Sequence, residues 1–136
     1  MGRIVLDTSA VIAILNAEPL ARELEQRIRA ADAREISSCG VVEAASVLIG
    51  QQPAAASEAI GLLQTLIRRL DIAVAPFDAE QAQIAVEARL KFGKGRHAAR
   101  LNLGDCFSYA LARMRKAPLL YVGDDFARTD IEAALV

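Results

Sequence analysis

Short runs of apolar and β-branched residues alternate along this chain with longer segments that have the apolar spacing of helices. The run Arg3–Leu6 precedes the helical patterns of Thr8–Asn16 and Leu20–Ala31, and the run Glu35–Ser38 precedes that of Gly40–Gly50. Strands that alternate with helices are joined by right-handed crossovers, which make the sheet parallel and place helices on both of its faces. The sequence therefore predicts an α/β protein with a covered parallel sheet.

The second half of the chain continues this alternation. The predicted elements are a helix over Ala54–Leu70, a strand over Ile72–Ala75, a helix from the capping residue Asp78 to about Leu90, a helix over Gly104–Lys116, a strand over Pro118–Val122 and a short helical tail. Phe92–Asn102 is predicted to be a basic loop that contains glycine. Because no linker or repeat interrupts the 136 residues, we expect one domain over residues 1–136.

Composition excludes several classes of protein. The longest uncharged stretch, Ala44–Ser57, is shorter than the roughly 20 apolar residues of a membrane span. The N-terminal apolar run contains an acid, which is unlike a secretory signal, so we expect a cytosolic protein. Cys39 and Cys106 have no partners at disulfide or zinc spacing and are predicted to be buried thiols. The net charge of −1 argues against a protein that coats nucleic acid.

Four acidic positions stand apart from the other charges of the chain. Asp7, Glu43 and Asp105 each lie alone in a long stretch without other charges, and the pair Asp124 and Asp125 does so too. Transferring a carboxylate into an apolar environment costs several kcal/mol unless a cation or hydrogen-bond donors compensate for it. Since no basic residue is close in sequence, the pattern indicates that these acids serve a common purpose.

The predicted elements place these acids near strand ends. Asp7 follows the first strand, Asp124 and Asp125 follow the last, and Glu43 and Asp105 lie in about the first turn of helices. The carboxyl ends of parallel strands border a crevice where ligands bind, so the acids could converge there. Carboxylates without His or Cys select a hard ion, Mg²⁺ or Mn²⁺, which engages phosphates. This chemistry suggests hydrolysis of a phosphodiester.

Each acid also has a purely structural interpretation. Asp7 and Asp105 could cap helices, Glu43 could interact with a helix dipole, and Asp124 and Asp125 could belong to a turn. Taken together, a shared cation site explains the four positions better than four separate structural roles. Thr8 and Ser9 either orient the acidic cluster or only cap the first helix.

A basic segment directly precedes Asp105. No acid occurs between Ala88 and Gly104, and the segment carries Lys91, Lys94, Arg96, His97 and Arg100. It either holds a phosphate backbone or is a solvated loop, and the sequence leaves both interpretations open. His97 is too isolated to be assigned a catalytic role.

Three motifs contain most of these acids, namely Val5–Ala10 (VLDTSA), Asn102–Ala110 (NLGDCFSYA) and Tyr121–Ile131 (YVGDDFARTDI). With Glu43 between them, they resemble the PIN-domain family, and specifically the VapC toxins of VapBC toxin and antitoxin pairs. The resemblance covers nearly the whole chain.

The resemblance implies a three-layer α/β/α sandwich, Mg²⁺-dependent endoribonuclease activity, dimerisation, and inhibition by a VapB-like antitoxin that plugs the acidic pocket. By motif match, Asp7, Glu43 and Asp105 are the first three catalytic acids, and Asp7 and Asp105 are direct metal ligands. Asp125 is the favoured fourth acid and Asp124 is the alternative. The RNA target, for example tRNA, stays open.

Other functions remain to be compared with this one. A PIN-like scaffold could bind RNA or protein without catalysis. A metal-dependent phosphatase of the haloacid-dehalogenase type also has an Asp after its first strand, but it requires a second Asp at the position of Ser9. A receiver-type signalling domain requires a Lys after a late strand, whereas Lys116 precedes that strand.

Overall fold

A four-stranded parallel sheet forms the centre of the protein in the computed structural model, which describes residues 2–135. The elements in chain order are β1 (Arg3–Leu6), α1 (Thr8–Leu15), α2 (Ala21–Ala30), β2 (Ala33–Ser37), α3 (Ser38–Gln51), α4 (Ala56–Arg69), β3 (Ala73–Ala75), α5 (Ala79–Phe92), α6 (Leu103–Arg115) and β4 (Leu119–Leu120). Single 3₁₀ turns cover Pro53–Ala55 and Phe126–Arg128. The strand order is β3-β2-β1-β4.

Helices cover both faces of this sheet. Ile4 and Leu6 of β1 pack into one core cluster with buried residues of α1 to α4. Val5, which points to the opposite face, packs into a second cluster with residues of α5 and α6. All three side chains are fully buried, as expected for the alternating residues of a strand with two covered faces. The predicted α/β/α sandwich with a parallel sheet is therefore confirmed.

The order of the strands creates a crevice at the carboxyl end of the sheet. The chain moves from β1 outward to β2 and β3, and then returns to pair β4 with the other side of β1. The chain leaves β1 toward β2, whereas after β4 it turns to the other side, where Ala133 bridges Leu119. In open α/β sheets, such a reversal opens the crevice in which ligands bind. Asp7 follows β1 and the pair Asp124 and Asp125 follows β4.

The structure corrects two predictions near the C-terminus. The strand predicted over Pro118–Val122 is limited to Leu119–Leu120, because the Val122 backbone N–H donates to the Ser9 hydroxyl instead of a strand. The tail is not a helix beyond Phe126–Arg128. Its backbone pairs with β4 instead: the Leu119 N–H donates to the Glu132 carbonyl, and the Ala134 N–H donates to the Leu119 carbonyl.

The predicted helices form, with shifted ends. Asp78 caps α5 as predicted, since its side chain accepts the Gln81 backbone N–H. The helix predicted from Ala54 begins at Ala56, after the turn that starts at Pro53. Within residues 2–135, no helix is long and apolar enough to cross a membrane.

The helix α3 begins earlier than predicted. The predicted position of Glu43 in this helix and the predicted burial of Cys39 are wrong. The helix starts at Ser38 because the Ser37 side chain caps it, which places Glu43 in the second turn rather than the first. Cys39 lies at the start of α3 and is only partly buried, so of the two cysteines only Cys106 is a buried thiol.

Candidate active site

Asp7 lies at the carboxyl end of β1 and is only 4% exposed. Its Oδ2 accepts the Ser9 backbone N–H at 3.0 Å and the Ser9 hydroxyl at 2.6 Å, and its Oδ1 accepts the Ser108 hydroxyl of α6 at 2.5 Å. Burial raises the pKa of Asp7, and these hydrogen bonds only partly offset that effect. The residue caps α1, but one oxygen is also fixed by a distant helix.

Ser9 and Thr8 have different tasks. The Ser9 hydroxyl donates to Asp7 and accepts the Val122 N–H at 3.0 Å, so it joins the end of β1 to the segment after β4. The Thr8 hydroxyl donates to the Gly40 carbonyl at 3.0 Å and thereby joins the start of α1 to α3. Of the two residues, Ser9 orients the carboxylate directly.

Glu43 projects from α3 onto the backbone of Gly104 in α6. A Cβ at residue 104 would collide with the Glu43 carboxylate, lying 2.7 Å from Oε1 and closer to Oε2. Burial raises the pKa of Glu43, a hydrogen bond with Thr8 lowers it, and the charge of Asp7 raises it further. Glu43 therefore reaches the start of α6 because residue 104 has no side chain.

Asp105 lies in the first turn of α6 and forms a capping box with Asn102. Its Oδ2 accepts the Asn102 N–H at 3.0 Å, and the Asn102 Oδ1 accepts the Asp105 N–H at 2.9 Å. Burial raises the pKa of Asp105 to about 7, with further contributions from the charges of Asp7, Asp125 and Glu43. The structure thus brings the four predicted acids into one electrostatic neighbourhood.

Asp124 and Asp125 are adjacent and exposed, but their charges affect the pKa values of different residues. The charge of Asp125 raises the pKa of Asp105. The charge of Asp124 contributes to the raised pKa of Tyr121. This difference favours Asp125 as the member of the acidic group.

No cation of the protein compensates for these acids within residues 2–135. The ion pairs of this part of the chain link arginines to Glu25, Glu35 and Asp130 only. In the same part of the chain, no group of three or more His, Cys, Asp or Glu side chains is arranged to hold a metal ion. The acids are therefore coupled through their charges without forming a closed set of ligands.

Three residues of the site were missing from the sequence-based prediction. Ser108 lies one helical turn after Asp105, so its side chain lies on the same face of α6, and this spacing could have indicated it. Asn102 has the capping-box spacing to Asp105, which is also readable from the sequence. The contact of Gly104 with Glu43 joins two distant helices, and no local signal predicts it.

The sequence model of the PIN domain family matches residues 4–132 of this chain. This range includes all of the acids described above. The chain belongs to the PIN domain family. The predicted resemblance is confirmed. The chain is 40% identical over 129 residues to a protein from Mycolicibacterium smegmatis named ribonuclease VapC. The alignment covers 95% of this chain and 98% of that relative.

Solved PIN-domain structures share the fold of this chain. VapC20 of Mycobacterium tuberculosis, described as a sarcin-ricin loop cleaving toxin, superposes with a TM-score of 0.73 at 15% identity, covering 94% of this chain and 95% of that chain. VapBC2 from Rickettsia felis, solved bound to a DNA fragment from its promoter, also gives 0.73, at 18% identity and 96% coverage of both chains. At these identities the likeness establishes the PIN fold alone.

Proposed function

We propose that this protein is a divalent-metal-dependent endoribonuclease, the toxin of a VapBC-type toxin–antitoxin pair. The observation that supports the proposal is that the charges of Asp7, Glu43 and Asp125 act on Asp105, while no ion pair within residues 2–135 includes any of these acids. Carboxylates whose charges raise the pKa of a neighbouring carboxyl group create a negative potential that attracts a cation. The 40% identity to a ribonuclease VapC over 95% of this chain supports the same activity.

The donor set fits a hard divalent ion. Asp7, Glu43, Asp105 and Asp125 offer carboxylate oxygens and no nitrogen or sulfur, which suits Mg²⁺ or Mn²⁺ rather than zinc. When bound, such an ion would polarise the scissile phosphate and increase the acidity of water. Hydrolysis of an RNA phosphodiester bond requires no covalent intermediate with the protein.

The protein's own residues prepare this site. Ser9 and Ser108 fix the orientation of the Asp7 carboxylate, and Asn102 fixes that of Asp105. Glu43 lies against Gly104 and forms a hydrogen bond with Thr8. Since these side chains form no closed ligand set on their own, we expect Glu43 or Asp105 to rotate when the ion binds.

We further propose three partners for this protein. The expected inhibitor is a VapB-like antitoxin, which the likeness to the VapBC2 complex supports. The expected substrate is RNA, with structured RNA such as tRNA as the first class to examine. The expected assembly is a homodimer, as the family resemblance implies.

Cleavage of RNA by the purified protein tests the proposed function. We expect cleavage with Mg²⁺ or Mn²⁺, none with EDTA, and a loss of about 100-fold or more in Asp7→Asn and Asp105→Asn, since removing a metal ligand has a larger effect than removing its support. Asp78→Asn is the matched control, because Asn caps α5 as well as Asp does. Full activity in Asp7→Asn or Asp105→Asn would contradict the proposal.

A non-catalytic PIN module is distinguished by the same experiment. It would bind RNA or a protein partner, but it would cleave no RNA at any concentration of Mg²⁺ or Mn²⁺. Its binding would also be unaffected by Asp7→Asn, because the carboxylate would serve only as the cap of α1.

A further inference from the structure

The basic segment between α5 and α6 is a closed loop over residues 93–101. Its two ends are joined because the Leu101 N–H donates to the Phe92 carbonyl at 2.9 Å and the Lys94 N–H donates to the Leu101 carbonyl at 3.0 Å. Within the loop, the His97 Nδ1 accepts the Ala99 N–H at 2.9 Å. We call this segment the basic loop.

Arg89 of α5 stabilises the basic loop through hydrogen bonds to its backbone. Its guanidinium lies 3.3 Å from the Lys94 carbonyl and 3.4 Å from the Leu101 carbonyl, and donates to both. A Cβ at Gly93 would collide with the backbone and guanidinium of Arg89, so this close packing requires glycine. A loop held in one shape loses little conformational entropy when it binds a ligand.

The basic loop adjoins the acidic group on two sides. It continues directly into α6, which carries Asp105 in its first turn. On the other side, the Arg128 guanidinium donates to the Ala98 carbonyl at 3.1 Å, which ties the loop to the 3₁₀ turn that follows Asp125.

The cations of the basic loop have no acidic partners. Among the ion pairs of residues 2–135, none includes Lys94, Arg96 or Arg100. Arg96 uses its Nε to bind the Leu90 carbonyl at 2.9 Å, which anchors the side chain along α5. Positive charge therefore collects beside the negative group instead of being neutralised by it.

A mostly apolar groove between α5 and α6 lies beside these cations. It has a volume of about 560 Å³, and Lys94, Arg96, Leu103 and Phe107 are among its lining residues. Leu103 and Phe107 also line a second groove, together with Glu43. Leu103 and Phe107 therefore lie between the basic loop on one side and Glu43 on the other.

We propose that Lys94 and Arg96 are positioning residues that bind RNA phosphates flanking the scissile one. The proposal rests on the proposed ribonuclease function and adds the part of the protein that holds the substrate. An acidic site repels RNA, so neighbouring cations that are free of acidic partners offset the repulsion and place the backbone. The contacts are to the backbone and confer no base sequence preference.

The test compares binding of fluorescent single-stranded RNA in EDTA, where no cleavage interferes, at salt concentrations from about 50 to 200 mM. We expect Lys94→Gln/Arg96→Gln to bind roughly tenfold more weakly at the low salt concentration, with a salt slope smaller by about 1.4, the value for two lost phosphate contacts to a single strand. Lys94→Arg/Arg96→Lys keeps both charges, and we expect it to retain most of the binding and the slope.

A matched control removes the same two charges elsewhere. Arg68 and Lys116 are exposed at the ends of α4 and α6 that precede β3 and β4, away from the crevice. Arg68→Gln/Lys116→Gln should bind RNA with the wild-type salt slope. Equal weakening in both double variants would mean that only net charge matters and would overturn the proposal.

Lys94→Gln alone is a control for damage to the loop, because the described structure shows a side-chain hydrogen bond for Arg96 but none for Lys94. It should reduce the salt slope by about half as much as the double variant. With Mg²⁺, the double variant should show a raised KM and little change in kcat.

The outcomes separate the two proposals. Wild-type protein that cleaves RNA, with a double variant that binds RNA as wild type does, would overturn the phosphate site and leave the nuclease function intact. The basic loop would then be assigned to an acidic protein partner. Wild-type protein that neither binds nor cleaves RNA would overturn both.

Discussion

At the residue scale, the ionisation of Asp105 makes the stability of the metal-free protein depend on pH. Its pKa is about 7 in the folded state and 3.8 for an unperturbed carboxyl group, so the folded state binds this proton more tightly. Its stabilising effect is therefore complete below about pH 4 and is lost as the pH rises through about 7. The pKa values of Asp7 and Glu43 are also raised, so these two groups likewise make the folded state less stable as the pH rises.

Asp105→Asn should consequently stabilise the metal-free protein at about pH 8 and reduce its pH dependence. We expect about 2 kcal/mol, roughly half of what the whole pKa shift would give, because solvent screens a partly exposed group. The Asn side chain can still accept the Asn102 N–H. Urea unfolding in EDTA at about pH 5 and 8 measures the effect.

Asp124→Asn is the control for this measurement, since Asp124 is not among the charges that act on Asp105. If Asp105→Asn is less stable than the wild type at the higher pH, the prediction is wrong. The buried carboxylate would then have a compensating partner that the structure does not show.

Gly104 provides a second test at this scale. A methyl group at residue 104 would displace the Glu43 carboxylate, so we expect Gly104→Ala to fold but to lose about 10- to 100-fold in RNA cleavage, the range for a lost supporting contact at a metal site. Gly61→Ala is the control: no atom lies near its added methyl group, and alanine stabilises a helix by about 1 kcal/mol relative to glycine. Unreduced cleavage by Gly104→Ala would contradict the assigned position of Glu43.

At the scale of elements, Arg34 of β2 holds the ends of two helices. Its guanidinium donates to the Leu70 carbonyl after α4 at 2.8 Å and to the Arg29 and Ala31 carbonyls at the end of α2, both at 3.1 Å. Carbonyls at helix ends have no partner within the helix, so this side chain supplies one.

We therefore expect Arg34→Met to lower the free energy of unfolding by about 1.5 to 3 kcal/mol, the range for hydrogen bonds to a charged group. Arg68→Met, at an exposed position, should change it by no more than about 0.5 kcal/mol. Chemical denaturation measures both variants. A stable Arg34→Met variant would show that the helix ends find other partners.

The elements themselves were largely predictable because their signals are local. Apolar periodicity and the cap at Asp78 are contained in a few consecutive residues. The errors arose where distant groups decide the outcome. The end of β4 depends on the Ser9 hydroxyl, and the tail depends on the backbone of Leu119, and neither partner is visible within the C-terminal sequence.

At the scale of the whole molecule, the sequence indicated a set of candidate acids but not how they come together. Isolated acids in apolar surroundings indicated Asp7, Glu43 and Asp105, since burial of an uncompensated carboxylate requires a reason. Their convergence depends on the strand order, which places β4 beside β1, and sequence patterns do not determine this order. The contributions of Ser108 and Gly104 likewise become visible only once α6 lies across the crevice.

The central claim is that these distant carboxylates form one site for a divalent ion, and direct titration with Mn²⁺, followed by electron paramagnetic resonance, tests it. The account predicts saturable binding by the wild-type protein and by Asp124→Asn, a large loss of affinity in Asp7→Asn and Asp105→Asn, and weaker binding below about pH 6, where protons compete for the carboxylates. Binding that is unchanged in Asp7→Asn and Asp105→Asn, or no binding by the wild-type protein, would contradict it.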